Sequence, residues 1–368
     1  MHALLLKLHR WAGLLAGIIV FVVAVSGSVL VFENDIDRRA HRSLLVVTPG
    51  PSRVSLESAI AAVRVANPTA VVTGLSLPQA PTHPLILSLK GTTFGASVDP
   101  YTGRYLGTWD RSSGLARSIH QLHTRLLAGE WGEKLVGAVT ALTFLMALSG
   151  LVLWWPRKLL LVKGGPSWRR VNFDLHNVLG FYSALFLVLI TLSGVIIAFE
   201  DVTDPLIQKL DKAPPPGEVF SQPVAGGRRI GLDEAVRIAT GALPGAMATA
   251  VNVPAPGKTP FRLIMKFPED RTPAGRSRVA IDQYNGQVLQ VVSTRALPPG
   301  SKIIALKRSI HTGDIFGAPS QAVAFVVSLM LAGQVVTGFL IWWKPGKLAV
   351  RTRASAAPGT GPATTTAS

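Results

Sequence analysis

LHRWAGLLAGIIVFVVAVSGSVLVFE, residues 8–33, recurs in altered form as LHNVLGFYSALFLVLITLSGVIIAFE, residues 175–200. In both copies a histidine precedes an apolar stretch that holds a Ser-Gly pair at the same spacing and ends in Phe-Glu. An internal repeat of this length indicates a duplicated unit. His9 and His176 are therefore equivalent residues of two halves.

A second element also occurs once in each half. His123-Thr124 leads to a Ser-Gly pair and then to Trp154-Trp155, while His311-Thr312 leads to a Thr-Gly pair and then to Trp342-Trp343. The chain thus carries four matched histidines. Histidine at membrane depth indicates function by default, because an ionisable group is costly there.

The composition is that of a membrane protein, with 48% hydrophobic and 15% charged residues. About 20 consecutive apolar residues can cross a bilayer, and four stretches qualify: 14–32, 135–155, 178–199 and 322–343. The first is preceded by basic residues, as in a signal peptide, but it is long and has a copy deep in the chain. We predict four transmembrane helices and a retained first helix.

Basic residues predict the orientation, because short cytoplasmic connections are enriched in Lys and Arg. They crowd the link between spans two and three and the segment after span four: Arg157, Lys158, Lys163, Arg169, Arg170, Lys344, Lys347, Arg351 and Arg353. Both termini are therefore predicted to be cytoplasmic. The rest of the net charge of +17 is assigned to solubility and contact with anionic lipid, and no segment indicates a nucleic-acid module.

The two long connections on the other side are predicted to be small α+β units, because they are too long and too patterned for unstructured loops. The first has a helix over 55–66 with Ser55 as N-cap, followed by strands at 85–89 and 96–99. The second repeats this plan, with a helix from Gly231 and strands at 261–267 and 279–282.

The predicted organisation has eight segments. They are transmembrane helix 1 (1–32), a first outside domain (33–117), an outer histidine segment with helix 2 (118–156), a cytoplasmic loop (157–175), helix 3 (176–199), a second outside domain (200–307), an outer histidine segment with helix 4 (308–345), and a cytoplasmic tail (346–368) whose residues 354–368 are predicted to be disordered.

The chain resembles the bacterial PepSY-associated transmembrane proteins, a family that includes inner-membrane ferric-siderophore reductases. The resemblance covers almost the whole chain and depends on these residues: Leu8-His9-Arg10-Trp11, Ser26-Gly27, Phe32-Glu33, Asp99-Pro100-Tyr101-Thr102-Gly103, Leu122-His123, the stretch 129–132 and both Trp-Trp endings. It implies a four-transmembrane-helix bundle of two duplicated halves with two periplasmic PepSY-like α+β domains. It also implies a di-haem protein of the inner membrane that carries electrons to periplasmic iron chelates.

The four histidines favour haem independently. With both termini inside, His9 and His176 fall at the cytoplasmic starts of spans one and three, and His123 and His311 at the outer starts of spans two and four. A pseudo-twofold axis along the membrane normal would bring the members of each pair together. Imidazoles from facing helices are usual axial ligands of haem iron. We predict one bis-histidine site near each membrane face.

The absence of cysteine narrows the range of possible cofactors. It excludes Cys-ligated iron–sulfur clusters and covalent c-type haem, so we predict two noncovalent haem b groups. Zinc is the main alternative, but structural zinc usually has four ligands. Each cluster offers two matched histidines, or three with His120.

His120 is a weaker ligand candidate. It lies three residues before His123 on the same helical face, but Arg308 occupies the matching position in the second half. We therefore favour a role beside the site, facing a haem propionate. Taken alone, His9 is equally an interfacial residue, and only its match to His176 favours a ligand. The unmatched His2, His41 and His83 are interpreted as surface residues.

Other repeated features are given structural interpretations. The Ser-Gly and Thr-Gly pairs are interpreted as sites of close helix packing. Arg117, Arg125 and Arg308 are candidates for binding propionates or an anionic chelate, with a solvated or lipid-facing role as the alternative. Glu33 and Glu200 are interpreted as helix caps, with an electron-coupled proton site as the alternative. The stretches 129–132 and 313–319 are predicted to break or tilt the helices there. Because a helix from His123 to Leu135 would be about 18 Å long, we predict an outer haem at or above the membrane interface.

The predicted activity is reduction of a bound ferric siderophore or other ferric chelate, with electrons from a cytoplasmic or membrane donor. Bis-histidine ligation leaves no open iron position and favours electron transfer, so no catalytic acid, base or nucleophile is expected. Two alternatives remain: a di-haem carrier that reduces a quinone or protein partner, and a non-redox PepSY protein that binds peptides or restrains a protease.

Overall fold

The computed structural model describes residues 2–156, 158–163, 167–212, 216–223 and 228–343. Its helices are α1 (His2–Leu30), α2 (Glu33–Ala40), α3 (Arg42–Leu45), α4 (Leu56–Ala66), α5 (Leu115–Arg125), α6 (Gly129–Trp154), α7 (Trp168–Ala198), α8 (Glu200–Gln208), α9 (Leu232–Ala242), α10 (Pro299–Thr312) and α11 (Ala318–Trp343). Its strands are β1 (Val72–Ser76), β2 (Leu85–Leu89), β3 (Phe94–Val98), β4 (Tyr105–Asp110), β5 (Met247–Asn252), β6 (Phe261–Lys266), β7 (Ser277–Ile281) and β8 (Val288–Val292). The predicted disordered tail lies outside the described residues.

Four of the described helices, α1, α6, α7 and α11, are long and apolar enough to cross a membrane. They confirm the four predicted spans and make the chain a multi-pass membrane protein. Because no Gly or Pro interrupts residues 2–8 or 168–175, α1 and α7 begin earlier than predicted. His9 and His176 therefore lie inside helices rather than at their first turns.

The four spans form a square bundle. α1 and α7 each pack against both α6 and α11, which places α1 and α7 on one diagonal. Small residues line these contacts: a Cβ added to Gly13 would meet Met146 at 3.2 Å, and one added to Gly17 would meet Val335 at 3.4 Å. Such residues let helices approach closely in a bilayer.

The strands of both halves form one antiparallel sheet in the order β4-β3-β2-β1-β5-β6-β7-β8. This differs from the predicted pair of separate outside domains. Each half supplies four strands and one covering helix, but β1 and β5 pair with each other. An isolated half would expose the unpaired N–H and C=O groups of β1 or β5 along its edge, and the pairing removes both edges.

The register places a local twofold axis at the joint between the two halves, where β1 pairs with β5. Leu75 of β1 pairs with Leu87 of β2, and Val251 of β5 pairs with Leu263 of β6. Leu75 and Val251 are thus equivalent, and they also pair with each other. The two halves therefore meet through the same residues of each copy.

The helices α4 and α9 cover the sheet and cap each other across the joint. Asp233 of α9 accepts a hydrogen bond of 3.0 Å from the main-chain N–H of Leu56, and Glu57 of α4 accepts one from the main-chain N–H of Leu232. Ser55 also caps α4, as predicted, by accepting from Ser58 N–H at 3.1 Å. Apolar residues of both helices and of the strands form a single core.

Candidate functional site

The outer pair, His123 and His311, lies where the bundle meets the segments that lead from the sheet. His123 is on α5 and His311 on α10, and their ring centres are 6.1 Å apart. Two imidazole nitrogens that bind one metal from opposite sides at about 2.1 Å each would place the ring centres roughly 6 to 6.5 Å apart. The outer pair therefore has the separation that bis-histidine ligation of one metal requires.

Backbone carbonyls fix the tautomer of the outer pair. Nδ1 of His123 lies 2.9 Å from the carbonyl oxygen of Val23, and Nδ1 of His311 lies 2.9 Å from that of Ile190. A carbonyl only accepts hydrogen bonds, so each Nδ1 carries the hydrogen and each Nε2 keeps its lone pair. Nε2 is then the nitrogen available to a metal.

Glycine makes these carbonyls accessible. Gly27 lies four residues after Val23, and Gly194 lies four residues after Ile190. A side chain at that position would cover the carbonyl along the helix surface. A Cβ added to Gly27 would come within 2.8 Å of His123 Cε1, and one added to Gly194 within 3.0 Å of His311 Cε1.

The inner pair, His9 and His176, is held by hydroxyl groups instead. Nδ1 of His9 lies 2.9 Å from Ser149 Oγ of α6, and Nδ1 of His176 lies 2.9 Å from Thr337 Oγ1 of α11. Each hydroxyl donates its own hydrogen to a helix carbonyl, that of Met146 or Gly333. The hydroxyl oxygen must therefore accept from Nδ1–H, and the tautomer is the same as in the outer pair.

The inner rings also pack against glycines, with less crowding. An added Cβ would lie 3.3 Å from His9 Cε1 at Gly150 and 3.2 Å from His176 Cε1 at Gly338. In the described part of the chain, no hydrogen bond involves Nε2 of any of the four histidines. The small-residue pairs thus do more than pack helices, because each one seats an imidazole and presents its Nε2.

The structure brings the two predicted pairs together to different degrees. His123 and His311 are in ring contact, whereas no ring contact joins His9 to His176 among the described residues. The inner residues lie at the same end of the diagonal helices α1 and α7, as the predicted symmetry requires. From His9 to the level of Val23, α1 rises roughly 21 Å.

The depth of the outer pair differs from the prediction. His123 lies beside Val23 and Ser26, inside the apolar part of α1, and not above the spans. The chain does not continue as one helix from His123 to Leu135, because α5 ends at Arg125 and Leu126 and Leu127 have positive φ angles of 49° and 58°. This turn sets α5 against α1 and α6.

His120 faces away from the outer pair and towards an acidic residue. Its Nδ1 is 3.4 Å from Glu33 Oε1, but this buried atom has no hydrogen-bond partner among the described residues. The buried Nε of Arg117, three residues earlier on α5, has none either. Both groups therefore remain candidates for binding an anionic substituent of a cofactor.

Two of the other predicted charges, Arg125 and Glu200, have identifiable partners. Arg125 forms an ion pair of 3.0 Å with Glu133. Glu200 begins α8, as expected of a capping residue, and it also contacts Lys307 Nζ at 3.1 Å. Arg308 lines a polar cavity of about 270 Å³ beside this ion pair.

Two histidines per site suit a metal whose other coordination positions are filled by a cofactor rather than by the protein. In the described residues, no three or more His, Cys, Asp and Glu side chains gather in a group able to hold a metal ion. Two imidazoles complete the coordination of an iron that a macrocycle holds in its plane, whereas structural zinc usually takes four protein ligands.

The family model described as "PepSY-associated TM region" matches residues 6–344 of the chain. This range contains all four matched histidines, the sheet and the four spans. No curated protein matches the chain.

Proposed function

The chain belongs to the PepSY-associated transmembrane family, and from this premise we propose that it carries electrons across a bacterial inner membrane to a ferric siderophore or other ferric chelate. Both termini would be cytoplasmic and the sheet periplasmic. The observation that supports this most is the outer pair, whose rings are 6.1 Å apart with both Nε2 atoms free of hydrogen bonds.

The proposed cofactors are two noncovalent haem b groups, one held by His9 and His176 and one by His123 and His311. When bound, such a haem would supply one-electron chemistry. The chain contributes the orientation of the ligands. Carbonyls and hydroxyls hold the Nδ1–H groups, and glycines leave room for the rings.

Reduction of the chelate needs no acid, base or nucleophile from the protein. One electron converts Fe(III) to Fe(II), which the chelate holds more weakly. Arg117 and His120 support the proposal, because each has a buried nitrogen without a hydrogen-bond partner among the described residues, and both lie on the helix that bears His123. A carboxylate substituent of the outer cofactor would satisfy both nitrogens.

The test is the dithionite-reduced minus oxidised absorption spectrum of purified protein, with haem quantified per chain. We expect two b-type haems in the parent, loss of one in either His123→Ala or His311→Ala, and loss of the other in either His9→Ala or His176→Ala. The unmatched His83→Ala is the control and should retain both.

Prereduced parent protein should then be mixed with a ferric siderophore, and Fe(II) should be trapped with a colorimetric chelator. Oxidation of the protein together with Fe(II) release is expected. Haem without chelate reduction would favour a carrier that serves a quinone or protein partner. Colourless protein made with ample haem would favour a non-redox peptide-binding function.

A further inference from the structure

A cleft of about 300 Å³ opens at the end of the bundle opposite the sheet, between the start of α7 and the end of α11. Its apolar walls are Trp168, Phe173, Leu340 and Ile341, and Arg169 and Arg170 line it as well. Aromatic and aliphatic walls with few polar groups are typical of sites for flat organic ligands.

Asn172 gives the cleft a single buried acceptor. Its side chain is only 3% exposed, and its Nδ2 donates to the carbonyl oxygen of Thr337 at 3.0 Å. Because that carbonyl only accepts, the amide cannot be flipped. The acceptor Oδ1 is left buried and without a partner among the described residues. A ligand that fits the cleft must therefore donate a hydrogen bond to Oδ1.

The first half of the chain has no such group. With His9 matched to His176, Leu5 occupies the position of Asn172, and Leu6 that of Phe173. The fold accepts a leucine at this point of the repeat. The buried amide is thus a property of the second half alone, and symmetry-related packing does not require it.

The cleft is directly connected to the inner pair. Thr337 accepts from Asn172 through its carbonyl and from His176 through its hydroxyl, the latter at 2.9 Å. Only two residues, Asn172 of α7 and Thr337 of α11, would link a ligand bound to Oδ1 with the His176 ring. That proximity suits a ligand that gives up electrons.

We propose that this cleft binds a membrane hydroquinone, which acts as the electron donor; this identification of the donor rests on the proposed function. A hydroquinone has a flat ring for the apolar walls and a hydroxyl group that donates to Asn172 Oδ1. It also reaches the end of a transmembrane bundle through the lipid. A lipid phosphate would suit Arg169, but the phosphodiester group itself has no hydrogen to donate to Oδ1. A hydroxyl-bearing headgroup such as that of phosphatidylglycerol has a donor but lacks a flat ring for the apolar walls.

The overall reaction balances without further reagents. The hydroquinone loses two electrons and two protons and becomes the quinone. Two ferric chelates on the opposite side each gain one electron and become ferrous. Both protons leave to water at the mouth of the cleft.

Binding is measured anaerobically by titration calorimetry of 2,3-dimethoxy-5-methyl-1,4-benzohydroquinone into full-length protein in phosphatidylcholine nanodiscs. One site per chain is expected. The dimethyl ether of the same compound has no hydroxyl hydrogen and should bind at least tenfold more weakly. Equal binding of the ether, or no binding of the hydroquinone, overturns the proposal.

Three variants locate the site. Asn172→Leu installs the residue of the first half and should weaken hydroquinone binding at least tenfold, as should Trp168→Ala. Trp155→Ala changes an exposed tryptophan near the same end of the bundle, outside the cleft, and should leave binding unchanged. Unaltered binding to both Asn172→Leu and Trp168→Ala would contradict the assignment, and so would displacement of the hydroquinone by phosphatidylglycerol in the nanodiscs.

The two proposals fail separately. Hydroquinone binding should persist in His176→Ala, because the walls and Asn172 remain, so it survives even if the chain never reduces a chelate. Chelate reduction by dithionite-treated parent protein without hydroquinone binding would instead keep the proposed function and remove this donor.

Discussion

The outer and inner histidine pairs present the same nitrogen by different means. Main-chain carbonyls of α1 and α7 hold Nδ1 of the outer pair, whereas side-chain hydroxyls of α6 and α11 hold Nδ1 of the inner pair. The outer histidines also come from short helices that lead out of the sheet, and the inner ones from the spans themselves. The outer pair therefore depends on where the sheet places α5 and α10, and the inner pair depends on the bundle alone.

The largest expected effect comes from the glycines, which are more crowded in the outer pair. Gly27→Ala places a Cβ within 2.8 Å of the His123 ring, against 3.3 Å from the His9 ring for Gly150→Ala. Overpacking of this kind costs about 1–3 kcal/mol. We expect Gly27→Ala to remove at least half of the outer haem, while Gly150→Ala keeps most of the inner haem, as measured by haem per chain. Equal losses would show that the crowding does not decide occupancy.

The hydroxyl groups offer the reverse test, because they are the closest Nδ1 partners of the inner pair only. At the outer pair, Ser26 Oγ lies 3.3 Å from His123 Nδ1, farther than the Val23 carbonyl at 2.9 Å. Thr337→Val and Ser149→Ala each remove the acceptor of an Nδ1–H. Loss of such a supporting group typically weakens metal binding about 10- to 100-fold, so transfer of the inner haem to apomyoglobin should speed up by a comparable factor. Ser193→Ala is the matched control, because Ser193 Oγ bonds the carbonyls of Leu189 and Ile190 and not a histidine. It leaves the carbonyl of Ile190 in place for His311, and the outer haem should be lost at nearly the parent rate.

A charge substitution should affect the outer pair through α10. Lys307 Nζ lies 2.7 Å from Asp204 and 3.1 Å from Glu200 and holds α10 against α8. Lys307→Met leaves two carboxylates facing each other, and we expect about 1–2 kcal/mol lower stability, seen as a lower thermal midpoint for loss of the outer haem. The midpoint for the inner haem should stay within error of the parent, and a shift of both midpoints by the same amount would contradict the independence of the two pairs.

The smallest expected effect is a pH dependence that starts in the sheet. Burial raises the pKa of Asp233 to about 6, and its hydrogen bond with Glu57 adds to this. The folded state therefore keeps a proton on Asp233 at pH values where the unfolded chain, with the ordinary pKa of 3.8, has released it. The contribution of Asp233 to the free energy of unfolding therefore falls as the pH rises from about 4 to 6. Since Asp233 and Glu57 are partly solvated, we expect this loss of stability to be less than about 1 kcal/mol.

Hydrogen exchange of the α4 and α9 amides between pH 4 and 6 measures this effect. After correction for the pH dependence of intrinsic exchange, the protection of these amides should decrease as the pH rises. Asp233→Asn should abolish this decrease. A parent profile identical to that of Asp233→Asn would show that the two carboxyl groups do not share a proton.

Much of the molecule could be predicted from the sequence because its signals are local. Apolar length identified the four spans, and the strand predicted at 85–89 coincides with β2. The repeat identified the four histidines and their pairing by symmetry. The seating of each ring could not be predicted in this way, because it depends on how neighbouring helices are rotated. One sequence feature could have indicated where the rings pack: a small-residue pair recurs before each Trp-Trp or Phe-Glu ending.

The single sheet and the depth of the outer pair were missed for other reasons. Pairing of β1 with β5 joins residues far apart in sequence, and neither strand has a pattern that names its partner. The predicted break at 129–132 is confirmed by Gly129, which has a positive φ of 60°. The turn begins earlier, at Leu126 and Leu127, where positive φ usually requires glycine, so those two residues gave no signal. The length of about 18 Å allowed for a helix from His123 to Leu135 therefore placed the histidine too high.

The strand pairing at Leu75 and Val251 also bears on ancestry. A single copy of the unit would have one inner histidine, one outer histidine and an open strand edge, and none of these would have a partner. Two copies related by a twofold axis would supply every missing partner through a self-complementary interface. The present chain then has the form of a fused homodimer. Fusion also frees the two copies to differ, as they do at the matched positions Leu5 and Asn172.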